Sequence, residues 1–382
     1  MGRKRKNIGS LSEPEDAALD AETPVGAERP RAPPPRSVEP DASGLDGCQA
    51  LQSHFLPEME QVPAEPNPLT SEEVEAFIRD GFIMLRNAFT AAAAGRARDA
   101  LWERVSRDGI SPTDPATWTR RHGIAESYTA ETEPWGEVLS PRLRGAVDQL
   151  CGAGRTGRFG CGWWVVTFPG IAEEPWGVDG SWHVDGFGYR HYVDSREIGL
   201  LPIFLFNDLG PHDGGTLLMP GSHRDVARLL WETDGGGVDG GRLSRLARAG
   251  VNEGAAVEVN GRAGDVCLVH PFTLHARSKN MGRRPGCESV RFMCHPAVPL
   301  REPMNVRGDA STAADRSPVE AAVASARPAG PAAKGAAEYA NEETGDRELR
   351  GRSAPPSDLE LAMGFEGFGK KKPRRRDVAR GT

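Results

Sequence analysis

Six short apolar stretches, at 162–168, 199–206, 215–219, 255–259, 266–270 and 289–294, constrain this chain most, because glycine, proline and asparagine separate them throughout. Segments this short, with turns this frequent, suit an antiparallel sandwich or barrel and not a parallel sheet with crossover helices. Pro220-Gly221-Ser222 and Asn260-Gly261-Arg262 are turn signals between them. Helical patterning lies ahead of these stretches. Thr70-Ser71-Glu72-Glu73 reads as a capping box, with Val74, Phe77 and Ile78 on one face and Gly81 as the stop. A short strand follows at 82–85. Further helices are expected over 91–107 and after Ser140-Pro141, where Leu143, Val147 and Leu150 share a face. The expected class is mainly β with flanking helices.

Composition sets the limits of the folded part. Residues 1–66 are crowded with proline and charge, and residues 308–360 are mostly Ala, Pro, Gly, Ser, Glu and Arg. Neither can bury enough apolar surface to offset the entropy of ordering it. The reading is a disordered segment at 1–66, one domain at 67–306 and a mostly disordered tail at 307–382. That middle portion, roughly 240 residues, is an ordinary size for one β-rich catalytic domain. The net charge of −7 argues against a global nucleic-acid binder. The ends are basic, with Arg3-Lys4-Arg5-Lys6 and Lys370-Lys371-Lys372-Pro373-Arg374-Arg375-Arg376, and read as solvated tails or, alternatively, polyanion or nuclear-localisation patches. Six scattered cysteines without a Cys-x-x-Cys pair fit a reducing compartment. No apolar run approaches the roughly 20 residues of a membrane span. A cytoplasmic protein is expected, or a nuclear one if the C-terminal cluster is a localisation signal.

Ser181-Trp182-His183-Val184-Asp185-Gly186 carries the chemistry. Residues two apart on an extended chain face one side, so His183 and Asp185 can converge on one ion. His275, just beyond the stretch 266–269, is the best candidate for a second histidine. Two histidines and a carboxylate on one face of an octahedron bind iron(II) and leave three positions open. Zinc accepts the same donors, which makes a zinc hydrolase the competing enzyme class. Arg291 lies on the apolar segment Val290-Arg291-Phe292-Met293, an expensive place for a guanidinium unless an anion pairs with it.

These landmarks resemble the phytanoyl-CoA dioxygenase family. The resemblance runs from about Leu69 to Asn305 through Asp80-Gly81-Phe82, Ser140-Pro141-Arg142-Leu143, Trp182-His183-Val184-Asp185-Gly186, Asp213-Gly214-Gly215-Thr216, Pro220-Gly221-Ser222-His223, Gly264-Asp265-Val266, His270-Pro271 and His275. It implies a double-stranded β-helix (jelly-roll, cupin-like) core and an oxygenase using Fe(2+), 2-oxoglutarate and O2 on a small molecule, with release of succinate and CO2. By the resemblance the metal ligands fall on His183, Asp185 and His275. The family's 2-oxoglutarate arginine usually follows the distal histidine by about eleven residues. Arg291 lies farther away and fits if 285–290 carries a short insertion, with Arg283 and Arg284 as the fallback. Where relatives often read His-Gly-Ser, this chain has His275-Ala276-Arg277-Ser278, so either Arg277 or Ser278 could take the serine's place. The presence of Asp185 favours hydroxylation, since related halogenases have a small residue there.

The aromatic set Trp163, Trp164, Trp182, Phe187 and Tyr189 is the expected pocket lining, with core packing as the alternative for at least half of it. One of Trp163 and Trp164 should face inward and the other outward on a strand. His270 is either a pocket residue or a structural one. A non-catalytic polyanion-binding protein on a degenerate oxygenase scaffold is the remaining alternative.

Overall fold

The structure, a computed structural model, describes residues 65–233, 235–282, 286–307 and 315–328. Expectations for residues 1–64, for Arg283 and Arg284 and for the basic ends lie outside the described residues. In chain order the elements are α1 (Ser71–Asp80), β1 (Phe82–Leu85), α2 (Ala91–Ser106), β2 (His122–Ile124), α3 (Trp135–Val138) and α4 (Pro141–Cys151). Then come β3 (Trp164–Thr167), β4 (Arg190–His191), β5 (Leu201–Phe204), β6 (Thr216–Leu218), α5 (Ser222–Glu232), β7 (Val238–Asp239) and α6 (Gly240–Ala247). The last are β8 (Val257–Glu258), β9 (Val266–Val269), β10 (His275–Arg277), β11 (Arg291–Met293) and α7 (Pro318–Ser325). All six expected apolar stretches contain strands.

The strands form antiparallel sheets in the orders β1-β9-β5, β10-β6-β8, β11-β3-β2 and β4-β7. A bridge between Phe204 and Cys294 continues β5 toward β11. The architecture is therefore mixed helix and antiparallel strand. Local chemistry explains the helix ends. Thr70 accepts from the Glu73 amide while Glu73 accepts from the Thr70 amide, completing the capping box. Gly81 then turns left-handed at φ 87°. A Cβ there would meet the His223 ring at 2.4 Å and Thr273 Oγ1 at 2.6 Å, so this turn also requires glycine for space. Trp135, Trp164, Phe204 and Phe206 build an aromatic centre to the core, with Tyr128 stacked on Trp135 at 4.4 Å.

Helices α3, α5, α6 and α7 had no counterpart in the sequence reading, which took 220–222 as a plain turn. Gly221 does turn left-handed, but it launches α5, whose Val226, Ala227 and Leu230 are buried. The expected domain limit at residue 306 falls short of α7, which packs on α1, α4 and α5. Average composition concealed this helix. Its Val319, Ala322 and Val323 are small yet completely buried, and Ser317 and Glu320 form its capping box. The Glu320 carboxylate also accepts two bonds from Arg155, at 2.7 and 2.6 Å.

His223 and His270 lie beneath these helices with ring centroids 5.0 Å apart. His223 donates to the Ile78 carbonyl, and His270 donates to Val319 while accepting from the Phe272 amide. Burial pushes His223 down from 6.5 to about 4, and burial pushes His270 well below 6.5. Both are neutral in the fold and take up protons when it opens, so stability falls as pH drops from about 6.5 toward 4. His223 alone should account for a loss on the order of 3 kcal/mol by pH 4. A pH series of unfolding midpoints checks this, and a His223→Gln variant should flatten the slope. An unchanged slope would refute the assignment. Among the described residues no helix is long and apolar enough to cross a membrane.

Candidate metal centre

Backbone pairing brings the three candidate ligands together. The segment 177–183 runs antiparallel to 275–279, and His183 and His275 exchange both amide-to-carbonyl bonds at 2.9 Å. Residues paired in this way point their side chains to the same face, and here the ring centroids stand 4.4 Å apart. Asp185 follows two residues after His183. Its Oδ1 lies 3.6 Å from His183 Nε2 and 3.5 Å from His275 Nε2. Gly186 then turns at φ 95°, where a Cβ would strike the Tyr189 ring at 2.6 Å. That close approach explains the glycine after the aspartate.

Each histidine's other nitrogen is tied back to backbone. His183 Nδ1 donates to the Ser181 carbonyl at 2.9 Å, and His275 Nδ1 donates to Thr273 at 3.0 Å. Both rings thus present Nε2 lone pairs to one point, the second-sphere arrangement of metal-binding imidazoles. His275 Nε2 is buried and makes no hydrogen bond among the described residues. Donor atoms of His183, Asp185 and His275 all lie within 4.8 Å of one another. The set therefore fits a divalent ion.

At His183 and Asp185 the electrostatics agree. Burial and the neighbouring His275 ring push His183 down to about 3, keeping its lone pair free. Burial would raise Asp185, but the surrounding His295, His275 and His183 hold its carboxyl well below the usual carboxylate range. His275 is raised because the contact with Asp185 outweighs its burial.

Helix α6 fixes this segment from behind. The Ser244 hydroxyl accepts from the Val184 amide at 3.2 Å. Arg248 donates to the Trp182 carbonyl at 2.6 Å and to Ser181 Oγ at 3.2 Å. Arg248→Ala is expected to weaken Mn(II) binding by roughly tenfold, the low end for second-sphere changes, while the unfolding midpoint shifts little. Equilibrium dialysis measures it, and an unchanged affinity would mean that strand pairing alone holds the ligands.

Arg291 is 2% exposed on β11, opposite Thr167 of β3. Its guanidinium donates to the Gly214 carbonyl and, at 2.8 Å, to Thr216 Oγ1. Burial lowers it to about 10. Among the described residues no carboxylate lies within 4.0 Å of it, and the Thr167 hydroxyl opposite makes no hydrogen bond. The longer spacing after His275 has a visible cause. The chain leaves the sheet after Asn280 and re-enters it at Arg291, and the Asn280 side chain donates to the Ser289 carbonyl at 2.6 Å, tying the two sides together. Ser278 is directed away, donating to the Gly215 carbonyl and meeting Glu258. Arg277 faces Gly180 and Asp179.

The aromatic candidates separate. Phe187 lies 5.6 Å from the His183 ring, centroid to centroid. Trp163 is 43% exposed, has φ 56°, and stands edge-on to the His295 ring at 5.9 Å. Trp164 belongs to the aromatic core, which agrees with the in-and-out expectation for this pair. Trp182 is buried with its indole donating to Glu253, and Tyr189 is buried on His191. His270 sits in the α1–α5–α7 core, away from the triad. Sequence reasoning had no ground to single out His295, whose Nε2 lies 3.4 Å from Asp185 Oδ2, nor Thr167. The one available signal was that His295 directly follows the apolar stretch 289–294.

An ectoine dioxygenase of Bordetella parapertussis is 26% identical over 275 residues, covering 65% of this chain and 82% of the relative. Two solved structures are similar at lower identity. The non-heme alpha ketoglutarate dependent carbocyclase SnoK from nogalamycin biosynthesis is 19% identical, with TM-score 0.43 over 63% of this chain and 87% of its own. HygX from Streptomyces hygroscopicus, solved with nickel and 2-oxoglutarate, is 16% identical, with TM-score 0.38 over 63% and 88%. The model of the phytanoyl-CoA dioxygenase family matches residues 77–285, more than half of the sequence, and the chain belongs to that family.

Proposed function

We propose that His183, Asp185 and His275 hold iron(II), that Arg291 anchors the distal carboxylate of 2-oxoglutarate, and that the product is a hydroxylated small molecule. As a member of its family the chain is a dioxygenase that uses iron(II), 2-oxoglutarate and O2. The observation that carries the ligand assignment is the pair of imidazoles with Nδ1 committed to backbone and Nε2 turned on Asp185 Oδ1. Iron with 2-oxoglutarate supplies oxidative decarboxylation to succinate and CO2, coupled to oxidation of the substrate.

The protein's own part is placement. Arg291 and Thr167 face each other as donors on adjacent strands, a match for two carboxylate oxygens. Phe187, beside the His183 ring, and the exposed Trp163, beside His295, are the aromatic groups placed to meet a substrate. The sheets that present these groups are read as a double-stranded β-helix, and the catalytic domain as 67–306 extended by α7. The test supplies iron(II), 2-oxoglutarate and O2 and follows succinate. Stoichiometric succinate with a screened metabolite, and none without iron, is the expected result. Absence of succinate under all conditions would overturn the reading.

A further inference from the structure

The inference concerns His295 and rests on the ligand assignment above. Asp185 has two oxygens, and they face different partners. Oδ1 looks toward both ligand imidazoles at 3.6 and 3.5 Å, whereas Oδ2 looks toward His295 Nε2 at 3.4 Å. Donors at right angles around an ion bonded at about 2.1 Å stand about 3 Å apart, so Oδ1 needs only a small contraction to become the third ligand. His295 is outside the set whose donor atoms lie within 4.8 Å of one another. It adjoins the centre without completing it.

We propose that His295 is a positioning residue that holds Asp185 Oδ2 and thereby keeps the carboxylate bound to the metal through Oδ1 alone. The reason this matters is a count of positions. An octahedral ion with two histidines and a one-oxygen carboxylate has three positions left, enough for a chelating 2-oxo acid and one further ligand. A carboxylate swung round to bind through both oxygens leaves two. Carboxylates adopt either mode readily, so something must choose between them.

His295 is built to make that choice. It is nearly buried, with its ring set at 76° against the Trp163 ring and at 77° against His275. Trp163 itself is held at φ 56°, a left-handed conformation that a tryptophan adopts only when its surroundings impose it. The end of β11 supplies the remaining constraint. The strand stops at Met293 and Cys294 bridges to Phe204, so His295 comes off the end of the strand that presents Arg291 and meets the carboxylate there.

The test uses the full chain loaded with Mn(II), without turnover. In His295→Leu, Mn(II) affinity should stay within about threefold while the 2-oxoglutarate dissociation constant rises roughly 10- to 100-fold, the range for second-sphere partners. His295→Gln retains an N–H donor and should restore 2-oxoglutarate binding. The exchangeable waters on Mn(II), counted by line broadening in ¹⁷O-water, should number three in the wild type and two in the leucine variant. Wild-type 2-oxoglutarate affinity in His295→Leu would overturn the proposal. So would loss of Mn(II) in both variants, which would make His295 a ligand. If the leucine variant fails to fold, the wild-type water count decides, with two waters counting against. A wild type that binds no Mn(II) would instead sink the underlying ligand assignment.

Discussion

His183→Ala is expected to abolish metal binding and, with it, succinate formation. The loss should exceed the roughly 10- to 100-fold that second-sphere changes cost, because it removes a donor outright. It also leaves Asp185 and His275 facing each other without the third partner that balances them. Metal content after dialysis and succinate release are the two measurements. Fold should survive, since the backbone exchange between residues 183 and 275 does not involve the side chain. Full activity in this variant would refute the ligand assignment.

The second large effect is at Arg291. Truncating one partner of a buried charge pair costs about 2–5 kcal/mol, which converts to a rise of roughly 30- to several-thousand-fold in the 2-oxoglutarate dissociation constant for Arg291→Leu. Arg291→Lys keeps a cation but loses the planar fork, so it should recover only part of that. Metal affinity should not follow, which separates this residue from the triad. The apo protein gives a second readout. Burial lowers the guanidinium to about 10, so a desolvated cation with no carboxylate beside it is being carried by the fold. Removing it should leave the ligand-free protein as stable as the wild type or more so, by thermal unfolding, and a marked destabilisation would argue for a purely structural arginine.

How far the sequence could be read depended on the range of the interaction involved. Strands with continuous apolar runs, such as 266–269, and helices with a complete capping box, such as that at Thr70, advertise themselves within a few residues. The His183 and Asp185 pair was legible because strand periodicity alone places both on one side. The approach of His275 was an inference from order along the chain, and the mutual hydrogen bonds of residues 183 and 275 now give it a geometric cause. Long-range support was silent. Nothing local in Ser244 or Arg248 says that they brace the segment 181–184, because that contact exists only once α6 has packed. Helix α7 escaped because alanine-rich composition reads as solvated until a groove between α1, α4 and α5 receives it. His270 stood open between a pocket role and a structural one, and its ring goes to Val319 and the core.

The closed base of the loop between Asn280 and Ser289 has a consequence for change in this chain. Because Asn280 bonds across to the Ser289 carbonyl, the start of β11 is tied to the sheet by a contact that does not run through the residues between them. Residues added or removed at 283–285 are expected to leave Arg291 in place. The strand beyond is different. Arg291 lies on β11 and His295 two residues past its end, so the number of residues between them sets how the two side chains are placed relative to one another. A single residue inserted at 292–294 would send one of the two side chains out of the interior. Loop-length variants and strand-length variants separated by only a few positions should therefore behave as opposites, the first silent and the second inactive.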